Sequence, residues 1–252
     1  MIVLGDMTTR IAAFAQRIGL KLTRAWRYPQ CDANMLELAV PALLSSRGSE
    51  FFFVQVGASD GVTNDPLYAL ITRHNLRGIC VEPLPSSFSR LQHTHAGNPN
   101  VTLENAAIAE SDGSVKLVAP EGYDARLYIA QKSSLRPECV RKHFGKQARL
   151  REIEVAGLTF ASLCRKHAVK AISLLQVDTE GFDYEVIRQS LAVGILPDAI
   201  HYESLHLTKR EMEFCRLLLR ANGYRLIEST VDTLAWKGPA RQRAGETGEL
   251  SA

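Results

Sequence analysis

Apolar residues fall into short, nearly continuous runs between residues 51 and 236, and amphipathic stretches separate these runs. Short apolar runs bounded by turn residues are typical of strands that are buried on both faces of a parallel sheet. The runs lie at residues 51–56, 78–81, 101–103, 172–177 and 199–202. This alternation of strands and helices predicts an α/β fold in which helices cover both faces of a mostly parallel sheet.

Three local signals refine this outline. Residues 208–211, Thr-Lys-Arg-Glu, form a capping box and predict the start of a helix. Two stretches after that helix, residues 224–227 and 233–236, predict an antiparallel pair that closes the sheet. An Asp-Gly dipeptide predicts a β-hairpin between residues 107–109 and 115–118.

The chain length of 252 residues suits one full-sized α/β domain with additions. We assign residues 49–237 to that domain. Residues 1–48 carry apolar stripes at helical spacing and predict a helical cap, with a partner-binding or membrane-surface helix as the alternative. Residues 121–152 predict an insertion or lid, and the polar, Gly-rich residues 238–252 predict a disordered tail.

Composition narrows the class of protein. Hydrophobic residues make up 46% and charged residues 23%, as in globular proteins with a substantial core. A net charge of +3 is too small to predict nucleic-acid binding. Charged residues interrupt every apolar run that could form a signal peptide or a membrane span. The 5 cysteines form no C-x-x-C pair, which favours reduced thiols and a cytoplasmic protein.

Basic residues are concentrated in the predicted lid. They are Arg126, Lys132, Arg136, Arg141, Lys142, Lys146, Arg149 and Arg151. We interpret the segment as a solvated, mobile lid; the alternative is a surface that binds an acidic acceptor, such as a phosphorylated or carboxylated glycan. Ser133, Ser134 and Leu135 within it are candidate substrate contacts.

A glycine-containing loop directly follows the first buried strand. Its residues are Gly57, Ala58, Ser59, Asp60 and Gly61. Glycine lets the backbone approach a ligand closely, and in open α/β sheets ligands bind at the carboxyl ends of the strands. The loop is therefore a candidate cofactor site, with an ordinary strand-to-helix turn as the alternative.

Glu82 directly follows the second buried strand, and Pro83 then turns the chain away. A carboxylate about 20 residues after such a loop can accept hydrogen bonds from both ribose hydroxyls of an adenosine. Asp60 would repel the pyrophosphate of a dinucleotide and attract the sulfonium of S-adenosylmethionine, by about 4 kcal/mol at roughly 4 Å. The charges favour S-adenosylmethionine. A NAD(P)-dependent Rossmann oxidoreductase and a non-catalytic nucleoside-binding scaffold are the alternatives.

Three carboxylates cluster at the end of a later buried strand, at Asp178, Glu180 and Asp183. This edge of the sheet is where substrates of open α/β enzymes bind, so Asp178 is both a candidate cofactor contact and the favoured general base. Glu180 and His201 are further candidate bases, together with Glu203 and His206. The oxygens could suit a divalent metal, but their spacing does not require one, so we assign none.

The chain resembles FkbM-type methyltransferases over about residues 51–237. The segments that carry the resemblance, in the order found in that family, are residues 54–61, 81–83, 105–108, 175–181 and 200–203. The resemblance implies a Rossmann-like class I methyltransferase fold with a seven-stranded sheet, and S-adenosylmethionine as methyl donor. It also implies O-methylation of a saccharide or polyketide-type secondary-metabolite hydroxyl, and therefore a small-molecule or glycan partner.

The same resemblance implies roles for individual residues. Gly57, Ser59, Asp60 and Gly61 would surround the methionine part of the donor, and Glu82 would bind its ribose. The adenine would lie near Asn105, Ala106 and Ala107.

Overall fold

A computed structural model of the chain describes residues 34–124 and 127–238. Most of the predicted N-terminal cap and nearly all of the predicted tail therefore lie outside the described residues. The described end of the cap is helix α1 (Leu36–Arg47), followed by a short 3-10 helix (Gly48–Glu50). Leu36, Val40 and Leu43 of α1 are buried.

The remaining elements alternate along the chain. The strands are β1 (Phe53–Val56), β2 (Gly78–Val81), β3 (Val101–Glu104), β4 (Ala107–Ile108), β5 (Gly113–Pro120), β6 (Leu150–Leu158), β7 (Leu174–Val177), β8 (Ala199–Glu203), β9 (Arg225–Glu228) and β10 (Asp232–Trp236). The further helices are α2 (Tyr68–His74), α3 (Pro85–Thr94), α4 (Leu127–Ala130), α5 (Pro137–Phe144), α6 (Phe160–Lys166), α7 (Asp183–Ala192) and α8 (Lys209–Ala221).

Seven of these strands form one sheet in the order β3-β2-β1-β7-β8-β10-β9. The first five strands in this order, β3, β2, β1, β7 and β8, are parallel to one another. Strand β10 runs antiparallel to both β8 and β9. The predicted fold, including the closing antiparallel pair, is confirmed. Because β1 lies beside β7, the chain winds outward in both directions from this pair, which makes it the topological switch point of the sheet.

The sheet has a helical layer on each face. Val54 and Val56 of β1 pack in one buried cluster with residues of α6, α7 and α8. Phe53, which points to the other face, packs in a second cluster with residues of α1, α2 and α3. Since successive side chains of a strand point to opposite faces, a strand covered on both sides needs apolar residues at nearly every position. This is the reason for the continuous apolar runs.

The predicted hairpin between residues 107–109 and 115–118 is wrong. Strands β4 and β5 lie on either side of β6 in a separate three-stranded sheet, parallel and antiparallel to it respectively. The Asp-Gly turn instead fixes the start of α6. Asp112 accepts hydrogen bonds from the Thr159 amide at 2.7 Å and from the Ser162 hydroxyl at 2.5 Å.

The capping box at the start of α8 is confirmed. Thr208 accepts a hydrogen bond from the Glu211 amide, and the Glu211 carboxylate accepts one from the Thr208 amide. The described cysteines, Cys80, Cys139, Cys164 and Cys215, are buried free thiols. No helix in the described ranges has the length and apolar character needed to cross a membrane.

Candidate active site

A cleft lies at the carboxyl ends of β1, β2 and β7, at the switch point. This is the edge of an open α/β sheet at which ligands bind. The predicted cofactor residues on its wall are Gly57, Ala58, Ser59, Glu82, Pro83, Ala106, Ala107 and Asp178. The structure thus brings together four segments that are far apart in sequence.

Gly57 lies on the floor of the cleft, between the ends of β2 and β7. Its amide donates to the Val81 carbonyl at 2.9 Å, and its φ is +85°. A Cβ at this position would lie 1.8 Å from the carbonyl oxygen of Asp178. Only glycine allows the loop after β1 to pass so close to the end of β7.

Glu82 is fixed by two backbone amides. Its Oε2 accepts from the Ser59 amide at 2.8 Å and its Oε1 from the Leu84 amide at 2.9 Å. Burial, and to a lesser extent the charge of Asp60, raise the pKa of Glu82 to about 7, although the two amides act in the opposite direction. Each carboxylate oxygen can accept more than one hydrogen bond, so acceptor capacity remains for a ligand.

Asp60 and Gly61, at the end of the loop, are not among the residues that line the cleft. Asp60 accepts hydrogen bonds from the amides of Val62 and Thr63 and from the Thr63 hydroxyl, at 3.1, 2.8 and 2.8 Å. Gly61 faces Leu91. The expectation that Asp60 faces a sulfonium group is corrected here, because its carboxylate turns back onto its own loop.

Asn105 also lies behind the cleft wall. Its side-chain amide donates to the carbonyl oxygens of Glu82 and Pro83, at 2.8 and 3.1 Å. The neighbouring Ala106 and Ala107 line the cleft. Asn105 therefore holds the segment after β2 in position, and the two alanines provide the surface.

The residues that follow β7 divide into two groups. Asp178 lines the cleft, and burial together with the charge of Glu180 raises its pKa to about 7. Asp183 is fully buried and accepts hydrogen bonds from the Thr179 hydroxyl at 3.0 Å and the Gly181 amide at 3.1 Å. Asp178 therefore faces the cleft, whereas Asp183 holds the turn.

Glu180 connects the cleft to the basic segment at residues 121–152. Its Oε1 accepts from the Lys132 ammonium at 2.5 Å, and its Oε2 lies 3.1 Å from His143 Nε2. Its backbone carbonyl accepts from the Ser134 hydroxyl at 2.9 Å. Lys132 and Ser133 line the cleft as well. The basic segment is therefore anchored to Glu180, an arrangement that the sequence did not predict.

His201 lies away from the cleft. It sits in the middle of β8, paired in register with Gln176 and Leu234, and it is 3% exposed. Burial lowers its pKa to about 4. The structure places this candidate base inside the sheet, so it is not carried into the proposed site. Glu203, at the end of β8, lies 3.5 Å from His206 Nε2.

Two glutamines on the cleft floor were also missed. Gln55 and Gln176 are register partners in β1 and β7, both 2% exposed, and both line the cleft. Gln55 donates to Asp65 at 3.0 Å. The available signal was a polar residue one position before the end of an otherwise apolar strand.

The sheet order, the glycine loop after β1 and the carboxylate after β2 define an α/β protein of the class I methyltransferase type. The family model described as Methyltransferase FkbM domain matches residues 55–226. The chain belongs to the FkbM methyltransferase family, which confirms the resemblance seen in the sequence.

Solved structures give distant matches. The FkbM methyltransferase from Methylobacillus flagellatus is 14% identical, with a TM-score of 0.48 over 74% of this chain and 43% of that chain. A methyltransferase from Geobacter sulfurreducens is 10% identical, with a TM-score of 0.41 over 95% of this chain and 91% of that chain. This chain thus spans less than half of the M. flagellatus protein. Among curated proteins, none matches the chain.

Proposed function

We propose that this protein is an S-adenosylmethionine-dependent methyltransferase that methylates a hydroxyl group of a saccharide or secondary-metabolite acceptor. The observation that carries the proposal is the meeting of the Gly57 backbone and the Glu82 carboxylate in one cleft at the switch point. This is where open α/β sheets bind nucleoside cofactors. Family membership supplies the reaction class.

The residues of the cleft fit this cofactor. Gly57, where a Cβ would clash with the Asp178 carbonyl oxygen, lets the loop after β1 pass close to the end of β7 along the cleft wall. Within the described residues, Ser59 Oγ and Gln176 Oε1 are buried without a hydrogen-bond partner, and both residues line the cleft. We assign Glu82 to the ribose hydroxyls, the Gly57 loop to the methionine part, and Ala106 with Ala107 to the adenine.

S-adenosylmethionine supplies an electrophilic methyl group on a positively charged sulfur. The carboxylates that face the cleft favour a cation, since a unit charge about 4 Å away contributes roughly 4 kcal/mol at an effective dielectric near 20. We assign this role to Asp178 and Glu180, which line the cleft, instead of Asp60.

Asp178 is the proposed general base. No described residue donates a hydrogen bond to its carboxylate, whereas Glu180 is engaged by Lys132 and His143. A carboxylate in the cleft can accept the proton of the acceptor hydroxyl as the methyl group is transferred. The chain's larger contribution is alignment of the two substrates, which is worth roughly 7–11 kcal/mol in such reactions.

The acceptor side of the proposal rests on the lid. Lys132 and Ser133 line the cleft, while Lys142 and Lys146 are exposed. We infer a small-molecule or glycan acceptor, and the basic lid favours an acidic one. A cytoplasmic location stays a prediction.

Ligand binding and turnover test the proposal. Calorimetry with S-adenosylhomocysteine and with NAD should show binding of the first and not of the second. Incubation with S-adenosylmethionine and a panel of hydroxyl acceptors should give a methylated product by mass spectrometry. Tight binding of NAD alone would indicate an oxidoreductase, and binding without turnover would indicate a scaffold.

We expect the affinity for S-adenosylhomocysteine to fall as the pH drops through the pKa of Glu82, which is about 7. Only the ionised carboxylate accepts hydrogen bonds from both ribose hydroxyls, and its protonated fraction grows below that pH. The expected weakening is up to about tenfold from pH 8 to pH 6. Calorimetry at several pH values measures it. In Glu82→Gln this pH dependence should be reduced to what the other titrating carboxylate of the cleft, Asp178, contributes. A wild-type affinity that stays flat would contradict the assignment.

A further inference from the structure

Two histidines and a glutamate converge beside the cleft from three separate elements. His143 is on α5, Glu180 follows β7, and His206 follows β8. Nε2 of His143 and Nε2 of His206 lie 3.1 and 3.3 Å from the same carboxylate oxygen, Oε2 of Glu180. One ligand atom from each residue falls within a group no more than 4.8 Å across. The cluster thus presents two imidazole nitrogens and one carboxylate oxygen to a common point.

The His206 nitrogen that faces this point has no hydrogen-bond partner among the described residues. The His206 side chain is only 9% exposed, and within the described residues its Nε2 has no hydrogen bond of acceptable geometry. Oε2 of Glu203 lies 3.5 Å from this nitrogen and also has no hydrogen bond. Buried polar atoms are nearly always satisfied in folded proteins, so two that face one another call for an explanation.

The backbone brings the cluster together at Gly181. Its φ is +106°, and a Cβ there would lie 2.5 Å from Cys139 Sγ and 3.7 Å from His206 Cβ. Glycine therefore lets α5 and the loop after β8 close around Glu180. The Lys132 ammonium holds the other oxygen, Oε1, at 2.5 Å, so that Oε2 remains directed at the imidazoles.

We propose that His143, Glu180 and His206 bind a divalent first-row transition metal, with Glu203 as a further ligand. Tetrahedral coordination with bonds of about 2.1 Å separates ligand atoms by roughly 3.4 Å, close to the spacing in this cluster. Imidazole nitrogens suit zinc, copper, iron or nickel, and the carboxylate oxygens also suit manganese, whereas magnesium and calcium prefer oxygen alone. The sequence assigned no metal because two of the ligands, His143 and His206, lie outside the carboxylate motif after β7.

The site adjoins the proposed reaction centre. Asp178, Glu180 and Glu203 also form a group within 4.8 Å, and both Asp178 and Glu180 line the cleft. A metal ion here that took an acceptor hydroxyl as a fifth ligand would make that hydroxyl more acidic. That role rests on the proposed methyl transfer, whereas metal binding itself does not.

Metal binding to chelator-treated full-length protein tests the proposal. Mn²⁺ binding is followed by electron paramagnetic resonance and Zn²⁺ binding by calorimetry. We expect one tight ion in the wild type and at least tenfold weaker binding in His206→Ala. His143→Ala, on the lid, is a second variant that should give the same loss if His206→Ala fails to fold.

His167→Ala is the matched control. His167 Nε2 also contacts a glutamate, Glu104, at 2.7 Å, but the pair is not part of either candidate metal group. This variant should bind metal like the wild type. Equal metal affinity in the wild type and in His143→Ala or His206→Ala overturns the inference. Wild-type binding of S-adenosylhomocysteine without metal is measured separately, so failure of the metal site and failure of the proposed function are distinguished.

Discussion

Replacing Glu82 with alanine is expected to weaken S-adenosylhomocysteine binding by roughly 10- to 150-fold, the equivalent of about 1.5–3 kcal/mol for a hydrogen bond to a charged group. The carboxylate is held by the amides of Ser59 and Leu84, so it meets the ribose without first losing conformational freedom. The dissociation constants of wild type and variant, from calorimetry near pH 8, measure the effect.

Glu104 provides the control for this experiment. It ends β3, the strand beside β2, and its carboxylate binds Lys166 and His167 at 2.8 and 2.7 Å, away from the cleft wall. Glu104→Ala should leave the ligand affinity unchanged. Glu82→Gln keeps the side-chain size and should fall between alanine and wild type. Wild-type affinity in Glu82→Ala would remove this residue from the site.

The central sheet could be predicted from the sequence because burial of a strand on both faces leaves a local pattern, a short apolar run. Each strand of the central sheet lies between two helical layers, so runs such as Phe53–Val56 and Leu174–Val177 contain almost only apolar residues. The carboxyl ends of such strands meet at one edge, which places Gly57, Glu82 and Asp178 in one cleft without knowledge of side-chain positions.

The predictions from the sequence were wrong or incomplete where contacts between distant residues determine the structure. The Asp112-Gly113 turn has hairpin chemistry, but a distant strand, β6, pairs with both flanking segments. Asp60 has the right charge for a sulfonium, but its own loop offers nearer amides. The contact of Lys132 with Glu180 spans 48 residues, and no local pattern encodes it.

Gly57→Ala is expected to destabilise the fold by at least about 3 kcal/mol and to abolish detectable cofactor binding. The added Cβ would lie 1.8 Å from the Asp178 carbonyl oxygen. That oxygen belongs to the backbone directly after β7, and the Asp178 amide is tied to the Val56 carbonyl at 2.9 Å. The clash therefore cannot be relieved by a side-chain rotation and must separate β1 from β7.

Gly194→Ala isolates the steric part of this effect. Gly194 has nearly the same φ, +82° against +85° for Gly57, but a Cβ there meets nothing within 4 Å. It should show only the cost of the left-handed backbone, about 1–2 kcal/mol. Urea unfolding of both variants gives the comparison, and equal losses would show that β1 and β7 can separate freely. A much larger loss at Gly57 would mean that the close approach of these two strands, on which the shape of the cleft depends, is what requires glycine there.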